Sequence, residues 1–145
     1  MKIIYLCYEA SFLPVVAASI HLKLISTDKV PSQKELYLLP YYGGVLFNQQ
    51  GKILFLGKDQ QGNDIYILGA RNGAIILQKA IKGFLEIFSY NSEQIIFRDL
   101  SSIRNSLISL GLFFHCTLKI KVLGSFFLTQ GIRKSYFKLT KILER

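Results

Sequence analysis

Three consecutive segments decide the fold: KIIYLC at Lys2–Cys7, YEASFL at residues 8–13 and PVVAASIHL at residues 14–22. The first segment is a nearly continuous apolar run, typical of a central strand that is covered on both faces. The third segment predicts a helix that begins at Pro14. Proline is tolerated in the first turn, because the backbone N–H groups there have no partner within the helix and the one that proline lacks is not missed. This order predicts a strand, a tight loop and a helix, the opening unit of an α/β domain.

Length and composition predict one folded domain over residues 1–145. Half of the residues are hydrophobic and only three are proline, which excludes a disordered chain. No window approaches the roughly 20 uninterrupted apolar residues of a membrane span. The first twenty residues resemble a signal peptide, but Glu9 and Pro14 interrupt their apolar run. We therefore expect an uncleaved, cytoplasmic protein.

The remaining pattern alternates strands with helices. It predicts, in chain order, a short helix from Ser32 to about Pro40, strands at residues 52–57 (KILFLG) and Asp64–Gly69 (DIYILG), a helix at residues 73–88 capped by Asn72, a strand at residues 94–97, a helix from Ser101 or Ser102 to Leu110, a strand at residues 118–123 (LKIKVL) and a final helix from Ile132. Ser32 and Glu35 have the spacing of a capping box. The turn-rich residues 58–63 predict an antiparallel hairpin between the second and third strands.

These elements predict an α/β three-layer sandwich. Its sheet has about five strands, mostly parallel with one antiparallel hairpin, between layers of helices. Two helices carry apolar stripes at helical spacing, namely Leu77, Ile81, Phe84 and Phe88 on one and Ile132, Tyr136, Leu139 and Leu143 on the other.

The loop after the first strand is the expected functional site, because such loops meet a helix N-terminus where anions bind. Residues 9–14 nevertheless contain no glycine, lysine or arginine, and Glu9 would repel phosphate. Neither dinucleotide nor P-loop glycine spacing occurs in the chain. A Cys-x5-Arg phosphatase loop starting at Cys7 would need arginine at Leu13. No catalytic motif is complete, which favours a non-catalytic protein.

Three residues remain candidates for binding a ligand: Cys7, Ser11 and Arg98, the last following a strand. Arg104 is an alternative to Arg98 for holding an anion, although an ion pair at the strand end is the commoner role. Cys7 and Cys116 have no metal-binding spacing and are expected to be reduced. Of the histidines, His21 is expected to pack or face solvent, and His115 could pair with Cys7 if the fold brings them together. No metal or cofactor is predicted.

The net charge of +9 is concentrated in the second half of the chain. Residues 1–72 carry a net +2 and residues 73–145 a net +7. The final helix carries a basic stripe formed by Lys134, Lys138, Lys141 and Arg145. Such a bias attracts nucleic acid, anionic lipid or a phosphorylated ligand, and it also keeps an apolar chain in solution. We find no aromatic residues interleaved on this face, which disfavours stacking on single-stranded RNA.

Several segments resemble one small bacterial family, domain of unknown function 3189. The resemblance is carried by residues 2–5 (KIIY), Cys7-Tyr8 and residues 15–22 (VVAASIHL), with weaker echoes at residues 38–40, residues 62–69, Gly124 and Gly131-Ile132. In the family, Cys-Tyr is followed by two glycines, a small residue and His-Ser-Ser, whereas residues 9–14 here read EASFLP. The family's arginine after the late glycine is Ser125 here. The resemblance implies a scaffold with a polar loop site and a divergent member that has lost the site's polar groups.

The sequence therefore favours a binding or assembly protein with a degenerate loop site after the first strand, partnered by a protein or by a second copy of itself. One alternative is a small enzyme or phosphate or nucleotide-ligand binder that uses residues 7–14 and an arginine from elsewhere. A second alternative is nucleic-acid association through the basic final helix.

Overall fold

The computed structural model describes residues 1–44 and 51–144 of the chain, and it has a mixed α/β architecture. The strands are β1 (Lys2–Cys7), β2 (Ile53–Lys58), β3 (Asp64–Gly69) and β4 (Ile95–Asp99). The helices are α1 (Leu13–His21), α2 (Gln33–Tyr37), α3 (Ala74–Ile87), α4 (Ser106–Leu112), α5 (Lys121–Lys134) and α6 (Tyr136–Leu143). None of the helices in these described ranges is long and apolar enough to cross a membrane.

The strands form one sheet in the order β2-β3-β1-β4. β1 is parallel to both β3 and β4, and β2 is antiparallel to β3, which confirms the predicted hairpin and the mostly parallel sheet. The prediction of about five strands was too high, because the described residues contain four.

Alternating residues of β1 face two separate cores. Tyr5 and Cys7 belong to the larger cluster, which includes α1 and the C-terminal helices. Ile4 and Leu6 belong to a smaller cluster that includes Ala74, the first residue of α3, and Leu68 of β3. Both faces of the central strand are therefore covered, as its apolar run predicted.

The predicted strand at residues 118–123 was wrong. Residues Phe113–Thr117 continue α4 as a π-helical turn, Lys119 has a φ of 55°, and α5 starts at Lys121. Helix α5 packs closely on the preceding helical segment, because Cβ atoms on Gly124 and Gly131 would lie only 2.5 Å from His115 Cβ and 2.7 Å from Ile108 Cγ1. This helix–helix packing overrides the local alternation of lysine and apolar residues.

The predicted final helix is two helices, since α5 ends at Lys134 and α6 begins at Tyr136. Its apolar stripe is nonetheless in place, and Ile132, Tyr136 and Leu139 are buried. The stripe on α3 is only half correct. Leu77 and Ile81 pack against the smaller core, whereas the other two members, Phe84 and Phe88, are exposed.

The predicted capping box is confirmed, because Ser32 and Glu35 exchange side-chain to backbone hydrogen bonds at the start of α2. Two other predicted caps were wrong. Gly73, not Asn72, is the N-cap of α3. Asn105 caps α4 by accepting a hydrogen bond from Ile108 N at 2.9 Å, while residues Ser101–Ile103 form a separate single turn.

Candidate functional site

The chain leaves β1 and β3 toward opposite faces of the sheet. After β1 it enters α1, which packs with the larger core, and after β3 it enters α3, which packs with the smaller core. Because β1 and β3 are adjacent and parallel, their diverging connections open a crevice at the carboxyl edge. Such topological switch points are the usual ligand sites of open α/β sheets.

A cleft of about 320 Å³ lies at this point, and we call it the carboxyl-edge cleft. Its lining comes from the ends of β1, β3 and β4 and the start of α3, and consists of Cys7, Tyr8, Arg71, Asn72, Ala74, Ile75, Asp99, Ser101 and Arg104. Backbone hydrogen bonds hold the three connections together, from Arg71 N to Tyr8 O at 3.1 Å and from Leu100 N to Leu6 O at 2.9 Å.

Two arginines line the cleft from different connections. Arg71 follows β3 and has a φ of 48°, a left-handed conformation that is uncommon for a residue with a side chain. Arg104 follows β4, donates from Nε to Ser109 Oγ at 2.9 Å, and places its guanidinium carbon 5.9 Å from the centre of the Tyr8 ring. A guanidinium has five N–H donors, so this contact with Ser109 leaves others for a ligand.

One carboxylate also lines the cleft. Asp99 Oδ1 accepts hydrogen bonds from Ser101 N at 2.9 Å and from Ser101 Oγ at 2.6 Å, so it is engaged in a local turn. Among the lining residues the two arginines outnumber this single acid, which leaves the cleft with a positive balance.

The loop after β1, where the sequence placed the site, is closed. Phe12 is 1% exposed, and its ring packs edge-on against Tyr42 and His115. Ser11 is also buried, and its carbonyl oxygen accepts a hydrogen bond from Gly43 N at 3.0 Å. The void behind this loop measures about 10 Å³, which is no larger than one water molecule requires.

The two thiols are poor nucleophiles. Burial raises the pKa of Cys7 to about 11 and that of Cys116 to about 12. Cys116 Sγ donates to Glu9 Oε1 at 3.4 Å, so the buried carboxylate also favours the protonated thiol. Both cysteines are free in the structure. At neutral pH neither thiol forms much of the thiolate that nucleophilic catalysis needs.

Arg98 lies on β4 opposite Tyr5, is exposed, and is not among the residues that line the cleft. Of the three predicted ligand residues, therefore, Cys7 reaches the cleft wall, Ser11 is enclosed behind the loop, and Arg98 lies outside.

Sequence reasoning named Arg104 as an alternative to Arg98 for holding an anion, but it missed Arg71 and therefore the pair. A signal for Arg71 was available, because GARNG at residues 69–73 is a second strand–loop–helix junction with a glycine at each end. Arg104 was a candidate because it follows the strand that carries Arg98, but its proximity to Tyr8 depends on β4 pairing with β1.

Sequence reasoning also missed a polar chain on the α1 side of the sheet. The Tyr5 hydroxyl lies 2.7 Å from His21 Nδ1, and His21 Nε2 lies 3.0 Å from Asp59 Oδ2. Burial raises the pKa of Tyr5 to about 12. Because Tyr5 is only 2% exposed, this chain fixes α1 to the β2–β3 turn rather than presenting a reactive hydroxyl.

The basic stripe is exposed at Lys134, Lys138 and Lys141, while Arg145 lies outside the described residues. Lys138 Nζ donates to Ser102 O at 3.2 Å. The expectation that no aromatic residue shares this surface was wrong, because Phe137, one turn before Lys141 on α6, is half-exposed.

A family model described as a protein of unknown function (DUF3189) matches residues 2–145. Searches of curated proteins and of solved structures found no match.

Proposed function

The chain belongs to the DUF3189 family, and from this premise we propose that it is a non-catalytic protein that binds a small phosphate-bearing ligand in the carboxyl-edge cleft. The observation that carries the proposal is the position of Arg71 and Arg104, which line the cleft at a topological switch point.

The surroundings of the arginines suit a phosphate group. Ala74 and Ile75, the first residues of α3, line the same cleft, and the N-terminal end of a helix favours negative charge. Arginine forms two parallel hydrogen bonds to phosphate oxygens, which gives both strength and orientation. The Tyr8 ring lies beneath Arg104 and restricts where its guanidinium can move.

The non-catalytic part of the proposal is supported by the state of the loop after β1. Cys7 is the only cysteine in the cleft wall, and its raised pKa keeps it protonated. Leu13, at the position of a phosphatase arginine, is buried in the core. Within the described residues, no cluster of three histidine, cysteine or acidic side chains could hold a metal ion.

The test is a titration with inorganic phosphate and with pyrophosphate, followed by calorimetry and by backbone amide shifts in NMR spectra. We expect saturable binding with shifts at residues 71–75 and 101–104. Arg71→Gln and Arg104→Gln should each weaken pyrophosphate binding about 10-fold or more, because a charge-assisted hydrogen bond contributes roughly 1.5–3 kcal/mol.

Arg98→Gln is the matched control, since it removes one positive charge from an exposed strand residue outside the cleft. If Arg98→Gln weakens binding as much as the cleft variants do, the binding reflects net charge alone. That result would contradict the proposal. An absence of saturable binding would contradict it as well.

A second candidate, self-association, is favoured by the outer face of α3. Ile76, Phe84 and Ile87 are 61–79% exposed and follow one another at helical spacing. Three more large side chains with similar exposure lie around them, Ile75, Phe88 and Tyr90. Aromatic side chains present roughly 150–250 Å² each, so this face approaches the roughly 800 Å² per partner of a standard interface.

The charges on α3 fit a second copy of the chain. Lys82 and Glu86 are both exposed and lie one turn apart around Phe84. In an antiparallel pair of α3 helices related by a two-fold axis at Phe84, each Lys82 would face the partner's Glu86, as an isologous interface requires. Light scattering should then give a dimer mass that Phe84→Glu reduces to a monomer, while Phe137→Glu, which changes a similarly exposed ring on α6, leaves it unchanged. A monomeric wild-type chain would exclude this candidate.

A further inference from the structure

An unusual exposed sequence spans the last residue of the π-helical segment, the turn after it and the first residues of α5. All seven residues from 117 to 123 (TLKIKVL) are exposed, and we call this segment the hairpin tip. Four of the seven are aliphatic, namely Leu118, Ile120, Val122 and Leu123, and Val122 is 86% exposed. The alternation of residues 118–123 within this segment predicted a strand, and in the structure these residues belong to no sheet.

The hairpin tip is held in place by ordered backbone contacts. Ile120 N donates to Phe114 O at 2.9 Å, and Gly124 N donates to Ile120 O at 3.0 Å. Half-exposed Phe113 and Phe126 lie on the two helical segments that lead into and out of the turn. The aliphatic side chains are therefore presented to solvent by this turn and by the first residues of α5, and aromatic rings lie on the helical segments on either side.

The charge of this part of the chain has one sign. Residues 100–143 contain seven lysines and arginines and no aspartate or glutamate. Two of the lysines, Lys119 and Lys121, alternate with the aliphatic residues of the hairpin tip. A second copy of the tip would bring these lysines against each other with no acidic residue nearby in the sequence, which disfavours self-association through this surface.

We propose that the hairpin tip docks the protein onto an anionic lipid surface. Leu118, Ile120 and Val122 enter the boundary between headgroups and acyl chains, and Lys119 and Lys121 contact the lipid phosphates. Interfacial segments combine apolar and basic residues in this way. Each basic residue near an anionic bilayer adds about 1 kcal/mol of attraction.

The aliphatic residues distinguish a bilayer from a nucleic acid. Single-stranded nucleic acids stack their bases on aromatic rings or arginine planes. Residues 117–123 contain neither, and the half-exposed rings of Phe113 and Phe126 lie on the flanking helical segments, outside the lysine-bearing tip. A valine that is almost fully exposed adds nothing to the affinity of a lysine-rich surface for nucleic acid. On a bilayer, burial of each aliphatic side chain adds to the binding free energy.

The test is co-sedimentation of the full chain with vesicles of phosphatidylcholine alone or with one third phosphatidylglycerol, at low and moderate salt. We expect binding to the anionic vesicles, weaker at higher salt. Lys119→Gln combined with Lys121→Gln should lower the affinity roughly 25-fold, at about 5-fold per lysine. Val122→Ser should lower it about 10-fold while keeping every charge, and its exposed position should preserve folding.

The matched control is Lys138→Gln combined with Lys141→Gln, which removes the same charge from exposed positions on α6. It should retain most of the affinity. Equal losses in the two double variants, or an unchanged affinity in Val122→Ser, would overturn the proposal in favour of nonspecific charge attraction. Equal sedimentation with neutral vesicles would overturn it too. So would tight binding of single-stranded RNA through Lys119 and Lys121 without vesicle binding.

Discussion

The ring of Phe12 packs edge-on against the ring of His115, with 5.3 Å between their centroids. Phe12 belongs to the loop after β1, and His115 to the π-helical turn about 100 residues later. The same phenyl ring also meets Tyr42 edge-on at 5.4 Å. The loop that would cradle an anion in many α/β domains is therefore an integral part of the larger core in this protein.

Replacing Phe12 with alanine should destabilise the protein by about 3–5 kcal/mol, because it leaves a cavity among rings that cannot fully collapse. The free energy of unfolding in urea measures this loss. The matched control is Phe137→Ala, which shortens a half-exposed ring and should cost no more than about 1 kcal/mol. Similar losses for the two variants would show that the loop is not packed as described.

Replacing two helical glycines with alanine should change the stability of the protein in opposite directions. A Cβ on Gly124 would lie 2.5 Å from His115 Cβ, so Gly124→Ala should destabilise the protein by about 1–3 kcal/mol through overpacking. A Cβ on Gly83 would meet open space, so Gly83→Ala should stabilise α3 by about 0.5–1 kcal/mol. Thermal unfolding of both variants measures the two changes in stability. A stabilised Gly124→Ala would contradict the close contact of α5 with the π-helical turn.

The N-terminal half of the fold was predictable because its signals are local. The apolar run of β1, the turn-rich link between β2 and β3, and the reciprocal pair Ser32 and Glu35 each specify their element without help from distant residues. The segment LKIKVL has an equally clear local pattern, yet it starts a helix. Gly124 and Gly131 decide this outcome by contacts with His115 and Ile108, which no local pattern encodes.

The position of the candidate cleft and two of its lining residues, Cys7 and Arg104, were named from the sequence, whereas Arg71 was not. A parallel sheet places its crevice at the carboxyl edge, and the cleft lies there, beside Cys7 and Tyr8. Arg71 and Arg104 reach it because β3 and β4 flank β1, a strand order that the sequence leaves open. The loop after β1 was correctly identified as poor in anion-binding groups, and Phe12 explains how that loop is filled instead.

His115 should make stability depend on pH below neutrality. Burial, and secondarily the positive charge of Lys121, lower its pKa from 6.5 to about 4. The folded state therefore favours the neutral ring. The contribution of His115 to the free energy of unfolding is complete above pH 6.5 and is lost as the pH falls toward 4. We expect a loss of about 2–3 kcal/mol over this range, since each unit of pKa difference corresponds to about 1.4 kcal/mol. His115→Gln should flatten the curve of unfolding free energy between pH 6.5 and 4.5, and parallel curves for the two proteins would contradict the buried neutral ring.

The thiols offer a direct test of the non-catalytic proposal. With a pKa of about 11 instead of 9.0, Cys7 should be roughly 100-fold poorer in thiolate at pH 8 than an ordinary cysteine. Burial slows its alkylation further. Iodoacetamide should therefore modify the native protein at least about 100-fold more slowly than the protein unfolded in guanidinium chloride. Cys7→Ser and Cys116→Ser separate the two sites, and Cys116 should also be slow because its thiol donates to Glu9. Rapid labelling of native Cys7 would instead identify a thiolate at the end of β1. A nucleophile at that position would contradict the non-catalytic proposal and favour the alternative of a small enzyme that uses residues 7–14.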